Sequence, residues 1–151
     1  MAHTRRRILH RLITFLLCII LIVPATVQAA EPRASYYLSS YTSYICHMGG
    51  GDLEIWYRVT GEDDWADIGV LTIMLYESSD QVNWTRVHTF RHTSYDTMLA
   101  HDTWQHMSHV DYEGSTGKYY KALVTIWAGD ENNNGDSRYI WTEIEYASPT
   151  T

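Results

Sequence analysis

The chain has 151 residues, with 11 basic and 18 acidic side chains and a formal net charge of −7. A field of that sign repels polyanions, so nucleic-acid binding is excluded. Two cysteines are too few for a disulfide scaffold, and the fold must be held by its core.

The chain opens on Arg5, Arg6, Arg7 and Arg11, with no acid before Glu31. An almost wholly apolar run, Leu12 to Val23, follows and is broken at Pro24 before the small-residue stretch Ala25 to Ala30. A basic start, a short apolar segment and a small-residue exit predict a signal peptide over residues 1–29, with cleavage after Ala29. The run is shorter than the ~20 residues a membrane-spanning helix needs. An uncleaved anchor, favoured by Ile8 and Leu9, and a twin-arginine signal at Thr4 to Leu9 are the alternatives. Contact with a membrane is expected only through the uncleaved signal during export. Loss of residues 1–29 leaves 122 residues with seven basic and eighteen acidic side chains, a net charge of −11, and Cys46 as the one cysteine. The expected location is extracellular.

Residues 30–35 read as a linker, 36–147 as a β domain and 148–151 as a tail. Tyr36 to His47 alternates Tyr, Leu, Ile and Ser. After Gly49-Gly50-Gly51, Leu53, Ile55, Tyr57 and Val59 share one face of a strictly alternating strand. The acidic segment Gly61 to Asp64 reads as a turn, and the nearly continuous apolar run Ile68 to Tyr76 as a central strand. Ser78-Ser79-Asp80 turns the chain into Trp84 to Arg91. His92 to Asp102 reads as a loop, and Trp104 to Tyr112 as a weaker strand. Lys118 to Trp127 is the strongest strand, Asp130 to Ser137 a turn, and Arg138 to Tyr146 the closing strand. About seven antiparallel strands with no helical period predict an all-β sandwich.

Gly117 to Ala128, followed by a polar hairpin and Ser137-Arg138-Tyr139, resembles the last two strands of fibronectin type III-like domains. Ile73 to Asp80 with Trp84 to Val87 resembles their middle hairpin. Trp65 to Val70, Tyr76-Glu77-Ser78 and Gly117-Lys118-Tyr119-Tyr120 resemble a family of small secreted proteins of Gram-positive gut bacteria, to which no function is assigned. The resemblance runs from about Tyr36 to Tyr146. It implies an immunoglobulin-like or fibronectin type III-like plan and export, and carries over no site residues.

Asp130, Asn132, Asn134 and Asp136 place oxygen ligands at alternate positions, with Gly135 at the sixth, as in the first half of a calcium loop. The twelfth position is Trp141, not a carboxylate, and the same residues suit a plain hairpin turn. No cofactor is expected, and calcium is the one candidate. His101, His106 and His109 lie near Asp102 and Asp111. On a strand His106 and His109 point to opposite faces, and the spacing fits no zinc pattern, so they read as solvated. Glu62, Asp63, Asp64 and Asp67 read as a solvated loop rather than a catalytic pair.

Six Trp and twelve Tyr, against two Phe, are more than a core needing bulk alone would use. Their polar tips suit half-wet contact surfaces. Tyr36, Tyr44, Trp56 and Trp84 are the candidate ligand-binding residues, with cross-strand aromatic pairing as their structural role otherwise. The expected function is a secreted non-catalytic binding module for an extracellular glycan or protein. A small extracellular hydrolase using loop carboxylates or histidines, and a self-associating structural subunit, are the alternatives. His and Asp converging in a concave pocket would mark the enzyme, and an exposed Tyr/Trp patch the binder.

Overall fold

The computed structural model describes residues 35–149, so the signal-peptide expectation for residues 1–29 lies outside the described residues. Among the described residues seven strands form, all paired antiparallel: β1 (Leu38–Gly49), β2 (Asp52–Ser78), β3 (Thr85–Arg91), β4 (Leu99–Glu113), β5 (Tyr119–Gly129), β6 (Gly135–Trp141) and β7 (Glu145–Tyr146). The fold is the expected all-β sandwich, but its strands are divided differently. Leu53–Val59 and Ile68–Tyr76 are one 27-residue strand, not two strands about an acidic turn. The closing strand is split into β6 and β7, and part of the expected loop, Leu99 to Asp102, belongs to β4.

Fully extended, 27 residues would reach roughly 90 Å, far beyond a domain whose radius of gyration is ~13 Å. β2 therefore bends, and it does so at register shifts between Thr60 and Trp65 and between Val70 and Thr72. Its first half lies between β1 and β4, its second between β3 and β5. Hydrogen bonding thus runs unbroken through all seven strands, while the sheet folds over to face itself.

Gly69 sits at the changeover, opposite Leu99 of β4 and Trp127 of β5. Its φ is +148°, and a Cβ there would lie 2.3 Å from the Met98 carbonyl oxygen. Only glycine tolerates both.

The core follows from alternation. Leu53, Ile55, Tyr57 and Val59 of β2 face inward with Ile73 and Leu75 of its second half. Beside Ile73 and Leu75 lie their register partners Val124 and Ala122 of β5, which with Tyr120, Ile126 and Ala128 of the same strand are fully buried. Tyr112 of β4 bridges the two layers, its ring 5.7 Å from His88 of β3 and 6.3 Å from Tyr120 of β5. Of the cysteines, Cys46 is half-buried and free.

Candidate functional site

The same alternation that fills the core puts Tyr119, Lys121, Leu123 and Trp127 of β5 half-exposed on the outer face, with Thr125 on that face too but buried and bonded to Thr72. Register adds their neighbours: Tyr76 beside Lys121, Met74 and Trp141 on either side of Leu123, and Tyr139 beside Thr125. Trp141 and Tyr139 are half or more exposed. The Lys121 ammonium lies 4.1 Å from the Trp84 ring centre and 5.0 Å from that of Trp141, a cation held between two indoles. Tyr76 packs on Trp141 at 5.4 Å. The Trp84 indole N–H donates to the Gln81 carbonyl at 3.0 Å, which fixes the ring over the hairpin. Trp127 lies across Gly129 and Gly135, where any Cβ would come within 2.7 Å of its ring. An aromatic band therefore runs along the outer face of β5 and β6.

The other outer face, on β1, β2 and β4, is different in kind. Tyr44, Trp56 and His109 form one cross-strand row, and Cys46, Glu54 and Asp111 the next. Trp56 stacks on the His109 ring at 4.4 Å and 30° between planes. Its indole N–H donates to Glu54 Oε2 at 2.7 Å. His109 Nε2 is 3.7 Å from Asp111 Oδ1. Glu54, His109 and Asp111 each offer a ligand atom within 4.8 Å of the others. An open depression of about 320 Å³ adjoins them, walled by further acids, Asp52 and Glu113. These two are register partners, as are Glu54 and Asp111.

The four aromatic residues singled out from sequence do not form one patch. Trp84 belongs to the aromatic band, whereas Tyr44 and Trp56 lie on the opposite outer face. Tyr36, 75% exposed, packs against Tyr37 and Trp65. Nothing along the sequence marks Tyr76, Lys121, Tyr139 and Trp141, because register between β2, β5 and β6 is what joins them to Trp84.

In the proposed calcium loop, Asp130 closes its own turn. Its carboxylate accepts the backbone N–H groups of Asn132 and Asn134, both at 2.9 Å, and the Asn134 amide at 3.1 Å. These donors, the Asn134 side chain foremost, hold its carboxyl below the usual carboxylate range. Asp136 accepts from the Ser35 hydroxyl and lies 3.5 Å from Arg138. Of the three clustered histidines, His106 turns toward Tyr57 and the Thr97 carbonyl, and His101 pairs with Asp67 at 2.6 Å. Only His109 joins a cluster with two acids, and Glu54 comes from a strand more than fifty residues earlier.

No protein-family model matches the chain, and no curated protein matches it. Among solved structures it is similar to the sporulation control protein Spo0M of Bacillus subtilis, with 11% identity and a TM-score of 0.39. The similarity covers 70% of this chain and 49% of that one, so the chain spans about half of Spo0M's length. Among the described residues, no helix is long and apolar enough to cross a membrane.

Proposed function

We propose that this chain is a secreted, non-catalytic binding module that holds an uncharged, polymeric glycan on the outer face of β5 and β6. The observation that carries the reading is the aromatic band itself: Trp84 and Trp141 about Lys121, with Tyr76 and Tyr139 alongside. Exposed indole and phenol rings offer apolar faces to the C–H surface of sugars, and their polar tips offer hydrogen bonds. Tyr139 and Trp141, two residues apart on one strand face, place successive rings ~7 Å apart along an extended chain. The net charge of −11 left after residues 1–29 disfavours acidic polymers and leaves neutral ones.

Export rests on the basic, apolar and small-residue order of residues 1–29. The immunoglobulin-like or fibronectin type III-like plan is supported by Tyr120, near the start of β5, whose hydroxyl accepts the Ser115 N–H at 2.7 Å. A buried tyrosine bonded to backbone a few residues upstream is a recurrent corner in such sandwiches.

One observation favours a second reading, a small extracellular hydrolase: Glu54, His109 and Asp111 converge beside a depression. Against it, Asp111 is 78% exposed in its side chain, on a sheet face open to water. Acid–base hydrolysis gains most where water is excluded.

The test is co-sedimentation of the purified protein with insoluble neutral polysaccharides and with purified cell wall. Saturable pelleting that weakens about tenfold in Trp141→Ala, a loss of ~1.4 kcal/mol, supports the reading. No pelleting, or pelleting indifferent to Trp141→Ala and Tyr139→Ala, retires it and moves the search to protein partners.

A further inference from the structure

The outer face of β2 and β4 carries two cross-strand pairs of like charge, Asp52 opposite Glu113 and Glu54 opposite Asp111. Like charges directly opposite one another destabilise a sheet. Acids alone would say only that the face is solvated, but here an imidazole is aligned with two of them. His109 and Asp111, two apart on β4, share a face, and the register brings Glu54 beside Asp111. The donors therefore stand on paired strands, where backbone geometry is fixed, and not on a loop.

Both the imidazole and the Glu54 carboxylate are oriented by one residue. Trp56 stacks on the His109 ring and donates its N–H to Glu54 Oε2. Outer groups that fix the direction of first ligands in this way are a regular part of metal sites.

We propose that Glu54, His109 and Asp111 bind one divalent transition-metal ion of the zinc type, clamping β2 to β4. One nitrogen and two carboxylate oxygens suit zinc, which takes three protein ligands and leaves a fourth position to water. The site's open side faces solvent and the neighbouring depression. The donor atoms lie within 4.8 Å of one another, and a tetrahedral ion with bonds of ~2.0–2.2 Å draws its ligands to ~3.3–3.6 Å. Side-chain rotation of Asp111, which is exposed, covers that difference. Calcium, which needs 6–8 oxygens, is poorly served by this set. Asp52 and Glu113, at the depression's rim, add negative potential that draws the cation in. This site is separate from the aromatic band and does not depend on it.

The experiment is calorimetric titration of the purified protein with zinc chloride in a non-chelating buffer, followed in parallel by tryptophan fluorescence. One ion per chain should bind, with a fluorescence change from Trp56 as its stacked imidazole is ligated. His109→Ala should abolish binding and the fluorescence change together. Glu54→Gln and Asp111→Asn, which keep shape and hydrogen bonding, should each weaken binding at least about tenfold. Trp56→Phe, which keeps an aromatic ring but loses the N–H, should cost about 10-fold. His101→Ala, at the separate His101–Asp67 pair, should change nothing. Absence of stoichiometric binding overturns the proposal. So does binding that survives His109→Ala in a protein whose metal-free melting is unchanged, or displacement of zinc by equimolar calcium.

Discussion

Glu77 and Tyr120 are register partners on β2 and β5, and the Tyr120 hydroxyl donates to Glu77 Oε2 at 2.7 Å. The Tyr120 hydroxyl oxygen in turn accepts the Ser115 N–H, so one fully buried phenol joins the strand pair to the β4–β5 turn. Lys118 lies 3.9 Å from Glu77 and donates to the Ser79 hydroxyl at 2.6 Å, closing the network at the surface. Tyr120→Phe keeps the ring and strands both partners. It should lower stability by about 1–2 kcal/mol in urea unfolding, the net loss of two hydrogen bonds, one of them to a carboxylate, whose partners water can still reach.

The same residue sets an alkaline limit. Burial pushes the Tyr120 phenol up to about 12 from 10.0, reinforced by the Glu77 carboxylate and opposed by the Ser115 N–H. A folded-state value above the unfolded one means that the contribution is whole below pH 10 and is lost as pH rises toward 12. Tyr57 and Tyr112 are shifted upward too, mainly by burial. Chemical denaturation between pH 9 and about 12 should show falling stability, with a shallower slope in Tyr120→Phe.

Acid acts on the adjoining β2–β3 hairpin. Asp80 accepts the backbone N–H groups of Asn83 and Val82, the Asn83 amide and the Ser78 hydroxyl. These bonds, the Asn83 backbone first, hold its carboxyl well below the usual 3.8. A depressed value gives stability that is present above pH 3.8 and is lost as pH falls through the folded-state value. Protection of the Val82 and Asn83 amides from exchange, measured against their intrinsic rates at each pH, should fall on acidification below pH 3.8, and Asp80→Ala should lower it at neutral pH.

Two glycines with positive φ should respond differently to alanine. At Gly69 a Cβ would meet the Met98 carbonyl oxygen at 2.3 Å, whereas at Gly117 (φ +76°) nothing lies within 4 Å. Gly69→Ala should cost more than ~2 kcal/mol, and Gly117→Ala about 1 kcal/mol from backbone strain alone. Thermal unfolding of the two variants side by side checks the contrast.

Lys121→Met keeps the apolar stem between Trp84 and Trp141 and removes the cation. The loss should be about 0.5–1 kcal/mol, with a shift in tryptophan emission, since both indoles face the ammonium. A variant with unchanged emission would show that the lysine does not sit between the rings in solution.

Strand periodicity was legible because burial imposes it. The inward set Leu53, Ile55, Tyr57 and Val59 is buried as alternation requires, and the β5 stretch reads directly as one face in and one face out. The acidic segment Gly61 to Asp64 misled, since an outward bulge in a long strand and a turn between two strands call for the same solvated residues. What keeps the strand going there is a distant contact: the Trp65 indole N–H donates to the Tyr37 carbonyl at 2.8 Å, and its ring covers Gly61.

The all-β class, the repelling charge and the excess of aromatic side chains can be read along the chain, because each depends on composition or on period. Which of those side chains meet is set by strand pairing across the fold. Trp84 joins Lys121 and Trp141, and Glu54 joins His109 and Asp111, through pairings set by register between strands far apart in sequence. Register is fixed by what the whole core buries, and a shift of one residue would send each of these groups to the other face.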